Sequence, residues 1–80
     1  MTKNLLIETV KYVTGKIDSV SISGSPSRAT AYRNVLGASR DLYEALNDRD
    51  ANLKIVSTLL TKKKSAAAHF KKVTGEAWPF

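Results

Sequence analysis

Apolar residues recur along this chain at three- and four-residue intervals, the spacing of one face of an α-helix. Leu6, Val10, Val13, Ile17 and Val20 make a single stripe. The stripe predicts a first helix over residues 3–20, with Gly15 on the opposite, wetted side at a cost of about 1 kcal/mol. The alternative is a helix that stops at Thr14, leaving Val20 and Ile22, which alternate with serines, as a short extended piece.

Residues 21–27 read Ser-Ile-Ser-Gly-Ser-Pro-Ser, a run of backbone-competing hydroxyls with glycine and proline, and predict a loop. A second helix over 27–47 follows, capped by Ser25 with Pro26 in its first turn or by Ser27 directly. Its apolar positions (Ala31, Tyr32, Val35, Leu36, Ala38, Leu42, Tyr43, Ala45, Leu46) cover nearly half the circumference, enough to touch two neighbours, so this is the expected central helix. Asn47, tolerant of the left-handed conformation, is expected to close it.

Asp48 or Asp50 is expected to cap a third helix over 51–74. Ile55, Val56, Leu59 and Leu60 begin a stripe that Ala66, Ala67, Phe70 and Val73 continue, but Thr61 and Lys63 fall on the same face between them. The helix either bends or breaks over 61–64, or leaves the core there and presents lysines. Gly75 closes it. The Trp78-Pro79-Phe80 tail either folds back on the core or lies in a partner's groove. Val13-Thr14-Gly15 and Val73-Thr74-Gly75 echo each other, but the match is too short to argue a repeat. The expected fold is all-α: a small three-helix bundle in a single domain over 1–80, with an aromatic tail.

Composition narrows the chemistry. The chain has 80 residues, 42% of them hydrophobic, so a packed but thin core is expected. The absence of cysteine excludes disulfides, thiolate catalysis and cysteine-based zinc frameworks, and a reducing compartment fits. No apolar run approaches the roughly 20 residues of a membrane span, and the first residues lack an export-signal pattern, so a cytoplasmic protein is expected. His69 is the single histidine and has no cysteine to work with; partial packing is its expected role. Asp41, Glu44, Asp48 and Asp50 stand beside arginines or helix ends, where ion pairing and capping explain them. No glycine-rich phosphate loop is present. Neither catalysis, nor a metal, nor a cofactor is expected.

The formal net charge is +6, and the excess is concentrated from Leu53 onward, where Lys54, Lys62, Lys63, Lys64, Lys71 and Lys72 face Glu76 alone. That asymmetry suits a polyanionic partner; a solvated lysine face that keeps a small protein soluble is the plainer account. Lys62, Lys63, Lys64, Lys71 and Lys72 would add salt-sensitive, sequence-independent affinity for phosphates.

One local run is more specific. Ser27-Arg28-Ala29-Thr30-Ala31-Tyr32-Arg33 resembles the start of the recognition helix in helix-turn-helix domains of the resolvase and invertase type, over these seven residues. The resemblance implies a helix start that enters the major groove, with Ser27, Arg28, Thr30 and Arg33 touching phosphates or base edges. Independently of that resemblance, Arg33, Gly37 and Arg40 at i, i+4 and i+7 put two guanidinium groups around bare helix backbone, where a phosphate or carboxylate fits. The alternative is that Gly37 lets helices pack closely while Arg40 pairs with Glu44. The expected function is therefore nucleic-acid binding, DNA in the first place, with a homo-oligomer as one expected form. The rival expectation is a protein-interaction module whose contact surface is built from Tyr32, Tyr43, Phe70, Trp78 and Phe80.

Overall fold

A computed structural model describes residues 2–80 of the chain. Among these residues the chain forms three helices and no strand: α1 (Lys3–Val13), α2 (Pro26–Asn47) and α3 (Leu53–Thr74). No helix of the described residues is long and apolar enough to cross a membrane.

Each helix begins on a side-chain cap. Thr2, Ser25 and Asn52 each accept a hydrogen bond from the backbone N–H three residues on, satisfying one of the free donors of a first turn. Ser25 with Pro26 therefore starts α2, and Asn52 rather than Asp48 or Asp50 starts α3. Asp48 is used inside the turn instead, where its carboxylate accepts from the Asp50 N–H at 2.9 Å. Asn47 is the last residue of α2 but stays right-handed, since no described residue other than glycine has a positive φ.

The first helix is shorter than its apolar stripe predicts. Gly15 adopts φ +81°, its N–H bonds to the Tyr12 carbonyl at 3.0 Å, and the Lys16 N–H reaches the Lys11 carbonyl at 2.7 Å. That pair of bonds is a Schellman closure, which a residue with a Cβ resists. Gly75 ends α3 with φ +78° and an N–H bond to the Lys71 carbonyl at 2.8 Å. The echoed Val-Thr-Gly tripeptides thus do the same job twice. In both, the threonine hydroxyl donates to the carbonyl four residues back at 2.8 Å, and the glycine that follows turns the chain out of the helix.

Ending α1 at Val13 also changes which face it buries. Leu5, Thr9, Tyr12 and Val13 turn inward, with Thr9 fully buried, while Leu6 and Val10 of the expected stripe remain exposed. Ile17 lies beyond the helix. Val20 and Ile22 pack on the core from the connection over residues 14–25, as the shorter alternative requires, without forming a strand.

The second helix is the centre of the molecule. It packs against both α1 and α3, which do not pack against each other. Ala31, Tyr32, Val35, Leu36 and Phe70 form the buried cluster. The wedge between α1 and α3 is closed by the tail, which folds back on this chain. The Trp78 ring meets Tyr32 at 5.5 Å, Phe70 at 5.3 Å and Phe80 at 5.9 Å between centroids, all edge to face. Such pairs contribute about 0.5–1.5 kcal/mol each beyond the area they bury.

The interruption at Thr61 and Lys63 does not break α3, which runs continuously through it with Thr61, Lys62 and Lys64 exposed. Lys63 lies half-buried, its stem lining the apolar groove beside Val10, Val13 and Leu42 while its ammonium donates to the Phe80 carbonyl. A long aliphatic stem with a cation at its tip fits an apolar groove that opens to water.

Candidate nucleic-acid interface

Two polar contacts fix the inner end of the molecule. The Thr9 hydroxyl is paired with the Tyr32 hydroxyl and also donates to the Leu5 carbonyl at 2.7 Å. Burial pushes the Tyr32 phenol above its ordinary value; the nearby Glu8 carboxylate acts in the same direction, and the hydrogen bond with Thr9 partly offsets both. On the opposite side of Tyr32, the Trp78 indole N–H donates to Ser39 Oγ at 3.1 Å, and Ser39 is itself buried. The sequence pattern held a faint sign of the first pair, since Leu5, Thr9 and Tyr12 share a helix face. It held none of the second.

Around this core the cationic residues are dispersed. Ser27, Arg28, Thr30 and Arg33 are exposed on the first turns of α2. Arg28 lines a crevice with Leu5, Ile22, Phe70 and Glu76, whereas Arg33 lies between the residue 14–25 connection and the α3 side of α2. The link of residues 14–25 between α1 and α2 is also far longer than the roughly 3–4-residue turn of a helix-turn-helix.

The expected Arg33-Gly37-Arg40 patch is not assembled. Arg40 lies over the Tyr12 ring at 4.6 Å and pairs with Glu44 at 3.3 Å. Tyr12 is the main influence that raises its guanidinium above the ordinary value, and Glu44 adds to it. The close-packing alternative for Gly37 fails as well, because a Cβ built there would meet nothing within 4 Å. The cation that joins Arg33 near Gly37 is Lys62, from α3.

Of the remaining lysines, Lys64, Lys71 and Lys72 are exposed, and Lys63 is engaged by Phe80. Lys71 and Lys72 occupy the last turn of α3, where they also complement the negative end of the helix dipole. His69 is exposed rather than packed. Among the described residues no group of three or more His, Cys, Asp or Glu side chains is placed to hold a metal ion.

The five aromatic residues expected at a partner surface divide in two. Tyr32 and Phe70 are spent inside the core, and half-buried Trp78 rests on them. Tyr43 and Phe80 stay exposed and line an open apolar groove of about 290 Å³ with Val10, Val13, Leu42 and Leu46. No family model matches this sequence, and neither the curated proteins nor the solved structures contain a significant match to it.

Proposed function

We propose that this protein is a cytoplasmic nucleic-acid-binding protein, acting on DNA in the first place, whose cationic side chains touch backbone phosphates without reading bases. The observation that carries this reading is α3. It is one unbroken helix with Lys54, Lys62, Lys64, Lys71 and Lys72 all exposed, and the ion pair between Arg40 and Glu44 takes none of them. Lysines spread over a broad face suit a phosphate backbone, which presents charge on every side, better than a base edge, which demands one geometry. The dispersal of Arg28 and Arg33 points the same way.

The test is fluorescence anisotropy with labelled duplex and single-stranded DNA at low and moderate salt. Four or five phosphate contacts give a log–log salt slope of about −4 on duplex. Replacing Lys62, Lys64, Lys71 and Lys72 together with glutamine abolishes binding without unfolding the chain. No binding at the lower salt overturns the reading.

A second reading has its own observation. The open groove between Val10, Tyr43, Leu46 and Phe80 is apolar and unfilled, which suits a protein contact or self-association. Sedimentation equilibrium across a hundredfold concentration range tests self-association, and a strict monomer removes that form of it.

A further inference from the structure

Gly37 stands in the middle of α2 with a helical backbone and no neighbour where its side chain would be. Glycine weakens a helix interior, and here no described residue crowds the position so as to require it. The surroundings supply a reason from outside. An open cleft of about 410 Å³ lies over Gly37 between α2 and α3, walled by the small residues Ala38 and Ala66 and rimmed by Arg33, Asn34, Asp41 and Lys62. Arg33, Gly37 and Asp41 follow one another at single-turn spacing, so the arginine and the aspartate stand on opposite sides of the glycine.

We infer that this cleft binds a single phosphate group, with Arg33 and Lys62 supplying charge and the Asn34 amide a neutral donor. The Gly37 N–H is committed to the helix, so the glycine contributes clearance: without a Cβ, an oxyanion comes close enough to reach cations from both helices at once. Arg33 presents a planar fork and Lys62 a compact charge, a pairing suited to tetrahedral oxygens. Asp41 limits where the anion sits. Its carboxylate, one turn beyond the glycine, repels negative charge on its own side and leaves the Arg33–Lys62 side to the phosphate.

The same chemistry is offered by a free phosphomonoester and by the phosphodiester of a nucleic-acid backbone; the latter rests on the function proposed above, the former does not. Amide-resolved NMR titration of the intact chain separates them, using inorganic phosphate, a nucleoside monophosphate and a short DNA duplex, with chloride at matched ionic strength as control. Phosphate is expected to shift the Gly37 and Lys62 amides to saturation while chloride leaves them in place. Gly37→Ala is expected to raise the melting temperature by about 4–8 °C while weakening phosphate binding about tenfold, opposite effects that a structural glycine does not show. Arg33→Gln weakens binding to a similar degree and leaves the melting temperature unchanged.

Shifts equal to those in chloride, or unaltered affinity in Gly37→Ala, overturn the inference. A melting temperature that falls in that variant overturns it too, because the glycine then has an internal purpose. Phosphate binding without any duplex binding supports the cleft and removes the nucleic-acid reading; duplex binding that leaves Gly37 unmoved, with no response to phosphate, does the reverse.

Discussion

At the end of the α2/α3 pair where α1 and the tail gather, Phe70 is 3% exposed and Val35 is sealed. At the other end, around the connecting turn, Leu46 is 63% and Leu53 81% exposed. Both ends carry leucines, isoleucine or aromatic rings at helical spacing, so local apolar content does not separate them. What separates them is a third layer. Two helices side by side bury only the strip along their seam, and an apolar side chain off that strip stays wet until another element covers it. The 11 residues of α1 and the folded-back tail cover one half of the hairpin of two 22-residue helices, and no other described residue covers the other half.

Phe70→Ala strikes the covered end hardest. It removes a ring in edge-to-face contact with both Tyr32 and Trp78 and is expected to cost about 3–5 kcal/mol. For a chain this small the total is only about 4–12 kcal/mol, so a large share is lost and the urea midpoint followed by circular dichroism should fall by about 1 M or more. Trp78→Ala comes next, at about 2–4 kcal/mol. It empties the wedge between α1 and α3 and leaves the buried Ser39 hydroxyl without its indole partner. If that variant melts like the parent, the tail is not the third layer.

Tyr32 sharpens the comparison through pH. Its phenol is raised above 10.0, so the folded protein keeps a proton that the unfolded chain releases near that value. Stability is therefore whole below about pH 10 and falls as pH rises from there through the folded value, by linkage. Tyr32→Phe should cost about 1 kcal/mol near neutral pH and lack this alkaline loss, read as the difference in urea midpoint between about pH 9 and about pH 11. Leu53→Ser at the uncovered end is expected to change stability by less than about 0.5 kcal/mol. A larger loss would mean that the turn end is covered in solution, by a second copy or by another protein.

The candidate site was less legible than the helices, for a reason visible in particular residues. Arg33 and Gly37 were recognisable as neighbours because helical periodicity alone places them one turn apart. Lys62 had no detectable relation to either, since its approach depends on how α3 lies along α2. Arg40 shares the i, i+4, i+7 spacing with Arg33 and Gly37, but its guanidinium lies over the Tyr12 ring of α1. The first helix failed for a different cause. Its apolar period runs on through Gly15 to Val20, but a glycine able to take positive φ closes the helix before the pattern ends.

Local chemistry in the sequence alone determined that α2 begins within residues 25–27 and where α2 and α3 end. It also determined that the class is all-α, that α2 is central and that positive charge gathers on α3. Those properties depend on neighbours a few residues apart, which the chain carries wherever it goes. The tertiary structure alone decided that Thr9 rather than Leu6 faces inward, that Trp78 lies against Tyr32 and Phe70, that Lys63 spends its charge on the tail, and that Arg33 and Lys62 share the cleft over Gly37. Each of these joins residues far apart in the chain, and which partner a side chain meets is set by the docking of whole helices.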